Sequence, residues 1–181
     1  MEYTKEEASE LYPNVKFMGS VEIGSNVELY SNVEIGSDVV IYSNVVIYSN
    51  VVIYSNVVIY PNVVIYSNVE ISSGVKIGSD VEIGSNVVIG NHVKIYPNVI
   101  ICSSVEIGSN VEIGSNVEIY PNVEIGSNVE IYPNVVIENN VVIKNHVVIG
   151  DNVISINAYK IIVIPTGITR AIQVDSGKVK K

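Results

Sequence analysis

The sequence predicts an all-β solenoid, and two observations predict it. The first is a six-residue period that never slips. Valine recurs every six residues from Val15 through Val153, which makes 24 consecutive hexapeptides without an insertion or deletion. Two residues after each valine stands Ile, with Phe17, Leu29 and Ser155 as the exceptions. The second is a turn residue in register with that period. The residue before valine is Asn in 17 of the 24 repeats, with Asp at 38 and 80, Gly at 74, and His at 92 and 146 among the rest. A repeat this regular decides the architecture before any other feature is read.

The strand comes first. Val-x-Ile puts its first and third side chains on one face and its middle side chain on the other. The composition agrees, since Val and Ile are strand formers and dominate the apolar residues. The corner comes next. The unit reads Val-x-Ile-(Gly/Tyr)-(Ser/Pro)-Asn, and the Ser position is Pro at 13, 61, 97, 121 and 133. Proline suits the second residue of a turn, and Asn, Asp, Gly and His tolerate the positive φ that a type II turn needs next. Short strands joined by uniform bends wind into coils, and stacked coils pair as parallel sheets about 4.8 Å apart.

The repeat in residues 23–28, Ile-Gly-Ser-Asn-Val-Glu, resembles the hexapeptide motif of left-handed parallel β-helix proteins. The resemblance covers residues 13–156. It implies a triangular prism in which three hexapeptides make one 18-residue coil, giving about eight coils, and it implies the left hand, although crossovers in general are right-handed. Residues 1–12 are expected to form an N-terminal helical cap, with Thr4-Lys5-Glu6-Glu7 as its capping box. Residues 157–181 are expected to be a C-terminal cap and tail, with two strands about Pro165-Thr166-Gly167 within 160–174.

The outward residues carry what functional signal there is. The middle strand residue is mostly Glu or Lys, but Val40, Val46, Val52, Val58 and Val64 are apolar in succession. They coincide with Tyr42, Tyr48, Tyr54, Tyr60 and Tyr66 at the corners. This girdle is read as a surface for self-association. The competing reading is strand propensity and ladder packing alone. Under the 18-residue coil Tyr12, Tyr30, Tyr48 and Tyr66 form one ladder. Glu106 and Glu124 become direct neighbours, as do Glu112 and Glu130, with Lys94 beside Glu112. Such carboxylates read as a solvated face rather than a cation site. Cys102, the one cysteine, reads as a plain thiol.

A net charge of -9 argues against a nucleic-acid partner and against anionic membrane. The opening MEYTKEEASEL lacks an apolar signal core, and no apolar run approaches the roughly 20 residues of a membrane span. A soluble protein is expected, cytoplasmic if natural.

Members of the resembled family include acyltransferases that use acetyl-CoA or acyl carrier protein, commonly as trimers with sites between subunits and a histidine as general base. Here His92 and His146 are the only histidines. Both stand in the Asn slot of the corner, in one column of the coil, three coils or about 14 Å apart. That spacing excludes one metal held by both within a chain, as in the family's trimeric carbonic anhydrases. The segment Ile164–Arg170 is weakly similar to the endings of some acetyltransferases. A catalytic base needs a shaped pocket, and the repeat has no inserted loop to build one. The leading reading is therefore a structural, non-catalytic solenoid of idealised or designed character, without cofactor or metal. The alternative is a trimeric acyltransferase using acetyl-CoA with His92 or His146 as base. The irregular stretch from Ser72 to Ser104 favours that alternative, because Gly74, Lys76, His92, Lys94 and Cys102 fall together in it.

Overall fold

The computed structural model describes residues 2–153 and 156, and it is the solenoid that the period dictates. Each hexapeptide is one side of a three-sided coil. Strands eighteen residues apart pair in parallel, as in Val15 with Val33, Val21 with Val39 and Glu28 with Val46. Three sheets result, each taking every third hexapeptide.

Why the chain bends is visible in its dihedrals. Every corner residue in the Asn slot from Asn26 to Asn152 has positive φ, between 56° and 62° for the non-glycines and 73° at Gly74. The corner backbone is also paired. The Tyr48 N–H donates to the Ile65 carbonyl on the next coil at 2.9 Å, while the Asn50 N–H donates back to the Ser31 carbonyl at 3.1 Å. Each bend thus links the coils on both sides of it, so few backbone groups are left to water. Side chains add a second ladder, with Asn32 donating to Asn50 and Asn50 to Asn68 at 3.0 and 3.2 Å.

Most paired strands are shorter than Val-x-Ile. Val15–Phe17, Val21–Ile23, Val33–Ile35 and Val39–Ile41 have three residues, and those from Val46–Ile47 onward have two. The leading valine follows a corner residue at φ near +60°. Its side chain is buried all the same, and its carbonyl accepts from the coil before, as Val45 does from Glu28.

The core is a column of Val and Ile. All inward Val and Ile from Val33 to Val135 are at most 3% exposed, and no polar or charged side chain is buried among the described residues. Apolar burial therefore stabilises the prism with no polar group to satisfy inside it.

At the start, helix α1 (Lys5–Leu11) covers the first coil through Ala8, which is fully buried. Its capping box is formed: Thr4 N donates to Glu7 Oε2 at 2.8 Å, and Glu7 N to Thr4 Oγ1 at 3.3 Å. Ahead of it lies a strand the repeat gave no sign of. Strand β1 (Glu2–Tyr3) pairs antiparallel with Val21–Ile23. It occupies an otherwise open sheet edge, the position that invites pairing with another chain. Tyr12 ends the helix and so leaves the expected tyrosine ladder. Its ring tilts against Phe17 at 6.3 Å, while Tyr30, Tyr48 and Tyr66 stack at 5.0 and 5.3 Å.

At the other end, Ile156 pairs with Ile137 and is 5% exposed. The six-residue period assigns that inward place to Ser155. Ile156 brings an apolar side chain to the core at this end. The expected C-terminal cap of residues 157–181 lies outside the described residues. No helix among them is long and apolar enough to cross a membrane.

Candidate functional site

The two histidines occupy corner slots built like their neighbours. His92 has φ 56° and His146 φ 60°, and their N–H groups donate to Ser73 and Ser127 at 3.0 Å, the bond that Asn makes elsewhere. Both imidazoles are exposed, and neither hydrogen-bonds to a described residue. His92 differs in one respect. Its ring lies over Gly74 on the coil before: a Cβ added to Gly74 would stand 2.5 Å from His92 Nδ1 and 2.9 Å from Cε1. The missing side chain makes room for the ring. His146 follows Asn128 in its column and has no such seat.

The residues of the irregular stretch do not all gather around His92. Lys76 and Lys94 lie side by side on the strands that leave the Gly74 and His92 corners, and Lys94 Nζ is paired with Glu112 Oε1 at 2.6 Å. Cys102 is half-buried in another corner. Burial pushes its thiol up, and the carboxylates of Glu118 and Glu82 push it the same way. It stays protonated near neutral pH, which makes it a poor nucleophile. Glu106 and Glu124 are register neighbours, as are Glu112 and Glu130.

Surface cavities exist that the uninterrupted repeat did not announce. They open where the first corner residue is Gly between bulkier neighbours. One of about 350 Å³ lies between Tyr60 and Tyr96 across Gly78, and one of about 250 Å³ between Tyr96 and Tyr132 across Gly114. A broader groove of about 590 Å³ runs over Gly108 and Gly126, with Glu106, Glu124, Lys144 and Asn145 on its walls. Neither histidine lines any of these three. The signal was present in the sequence as Gly alternating with Tyr at one corner position. It was missed because a pocket was expected only from an inserted loop.

The apolar girdle is uneven. Val40 stacks on Val58 and Val46 on Val64, but Val52 lies between Glu34 and Glu70. The stacked Tyr30, Tyr48 and Tyr66 flank the Val46–Val64 pair, and Glu28 and Glu82 bound it along the sheet.

The family description "Bacterial transferase hexapeptide (six repeats)" matches residues 32–67, 61–92, 86–121 and 104–139. No curated protein matches the chain in sequence. Among solved structures, the chain is similar to an Arabidopsis UDP-N-acetylglucosamine acyltransferase at 20% identity and a TM-score of 0.59, over 77% of this chain and 60% of that one. It is also similar to a mutant perosamine N-acetyltransferase from Caulobacter crescentus, solved with CoA and GDP-perosamine. There the identity is 15% and the TM-score 0.55, over 57% of this chain and 50% of that one. At these identities the likeness is one of fold, the left-handed parallel β-helix, and the chain spans half to three-fifths of their length.

The family match overturns the reading of the chain as a non-catalytic scaffold. The reason is physical. The regularity that suggested a scaffold belongs to the inward Val and Ile and to the positive-φ corners, which any stacked coil of this kind requires. The outward positions are free of those constraints, so a regular core says nothing about chemistry outside it.

Proposed function

Because the chain belongs to the bacterial transferase hexapeptide family, we propose that it is an acyltransferase that uses acetyl-CoA. The observation that carries this reading is the family match across residues 32–139. In the reaction, an acceptor hydroxyl or amine attacks the thioester carbonyl carbon. The carbon–sulfur bond breaks, and the thiolate of CoA leaves. A general base takes the acceptor proton, which then passes to the departing sulfur.

His92 is the better candidate for that base, with His146 the second. Support for His92 is its seat over Gly74, which restricts a ring whose nitrogens are free of described partners. Support for assembly is that no described residue orients either imidazole toward a cleft. A second copy of the chain would supply the missing wall, and the Val46–Val64 pair with its tyrosine stack is the apolar surface through which copies would associate.

The test is the rise in melting temperature with acetyl-CoA, together with thiol release against a panel of hydroxyl and amino acceptors. A saturable shift, and release that falls at least a hundredfold in His92→Ala, supports the reading. The reading is overturned by the absence of both shift and release at millimolar acetyl-CoA.

A further inference from the structure

The tyrosines of one edge of the prism are spaced like a stack with a ring removed. Tyr42 and Tyr60, on successive coils, stack at 5.3 Å with planes 3° apart. The next coil places Gly78 at that position, and the coil beyond it resumes with Tyr96. Tyr60 and Tyr96 both face the resulting cavity of about 350 Å³, and both rings are partly exposed, at 40% and 45%. The vacancy has the height of one aromatic ring. A flat ring inserted there would lie about 5 Å from each tyrosine, within the range aromatic pairs prefer. The gap cannot be closed by the chain itself at this backbone geometry, because a Cβ on Gly78 would stand 2.8 Å from Pro97 N and Tyr96 C.

The wall beside the vacancy is cationic in a molecule of net charge -9. Lys76 and Lys94 are register neighbours there, the one pair of adjacent cations among the described strands. Lys94 has Glu112 as partner, and Lys76 makes no ion pair or side-chain hydrogen bond with a described residue. Like charges so placed repel, unless an anion lies between them. The same edge supplies its own contrast. The vacancy at Gly114, between Tyr96 and Tyr132, has Glu112 and Glu130 in place of the lysines.

We propose that the Tyr60–Gly78–Tyr96 vacancy binds a planar aromatic anion, of the chemical class of a nucleoside monophosphate, with the ring between the tyrosines and the anionic group on Lys76. The adenosine phosphate of acetyl-CoA belongs to the same class, so the two readings are separated by their other readouts: thiol release reports acyl transfer alone, and binding of adenosine 5′-monophosphate reports this site alone.

The test is calorimetric titration with adenosine 5′-monophosphate, adenosine and ribose 5-phosphate. The monophosphate should bind with 1:1 stoichiometry, more tightly than either fragment, and more weakly as salt rises. Tyr60→Leu and Tyr96→Leu should each weaken it about tenfold, the order of one lost base–aromatic stack. Lys76→Gln should weaken the monophosphate several-fold and leave adenosine unchanged. Glu112→Gln, which frees Lys94, should tighten it, and this gain separates binding from damage to the fold. Equal binding of monophosphate and adenosine overturns the proposal. So does wild-type affinity in both leucine variants, or an effect of Tyr132→Leu as large as theirs.

Discussion

The His92 imidazole rests on the Cα of Gly74, one coil below it, where any Cβ would stand 2.5 Å from Nδ1. Gly74 is also the one glycine of the described corners held at positive φ, 73°. Gly74→Ala therefore meets two costs, roughly 1–2 kcal/mol for an L side chain in that region and a displaced ring. In a His92→Ala background only the first remains. Denaturation midpoints of the two single variants and the double should show coupling of about 1 kcal/mol. Additivity within about 0.5 kcal/mol would mean that the ring does not sit on Gly74.

Asn50 shows what an ordinary corner contributes. It holds φ 62°, accepts from Asn32 and donates to Asn68. Asn50→Gly removes the side-chain ladder but suits the backbone. Asn50→Ala removes the ladder and strains the backbone as well. Alanine should be the less stable of the two by about 1 kcal/mol, read from urea midpoints. Equal midpoints would show that the corner tolerates a Cβ at no cost.

The core should respond more strongly. Ile65 is fully buried in the middle of the column. Ile65→Ala should cost about 2–5 kcal/mol, since the coils above and below fix the walls of the cavity it leaves. Ile143, near the last described coil and 6% exposed, has fewer neighbours to hold the cavity open. The same substitution there should cost less. An equal loss at both sites in calorimetry would contradict the view that coil stacking sets the penalty.

The thiol of Cys102 should be slow. Burial raises its pKa, and Glu118 and Glu82 add to the shift. The raised value keeps the thiolate fraction low until the pH passes above the usual cysteine range. Alkylation by iodoacetamide at pH 8 should run several-fold slower in the folded chain than in urea, followed by mass spectrometry. Glu118→Gln should speed it, because one repelling carboxylate is gone. A folded rate equal to the unfolded one would remove any role for the environment.

What could be read from the sequence divides along the inward and outward sides of the chain. Val and Ile at positions one and three of each strand, and Asn at the corner, obey constraints that a linear period displays, and the 18-residue coil that the family resemblance implies then gave the strand partners and the Lys94–Glu112 pair. Strand β1 did not, because Glu2 and Tyr3 lie ahead of the repeat and pair across the end of the prism. The pairing of Ile156 with Ile137 did not either, since the six-residue period stops short of it. The candidate site was the least legible. His92 looks like any corner until Gly74 is seen beneath it eighteen residues away. The vacancy at Gly78 exists only once Tyr60 and Tyr96 are stacked on the same edge.

The proposed self-association would tie these outward features to the proposed activity. Val46 and Val64 are stacked and half-buried, with Glu28 below and Glu82 above and the Tyr30–Tyr48–Tyr66 stack alongside. A charge in the middle of that apolar surface would be desolvated by a second copy but costs little in a lone chain, where the long lysine stem reaches water. Val64→Lys should therefore turn an oligomer into a monomer in sedimentation velocity and change the melting temperature of the monomer by only a few degrees. If the acyl-transfer site is completed by a neighbouring copy, thiol release should fall in this variant while the His92 corner stays intact. It should fall in the wild type as well, on dilution below the dissociation constant. A wild-type chain that sediments as a monomer at hundreds of micromolar would sink the interface. Activity independent of concentration would place the whole site within one chain.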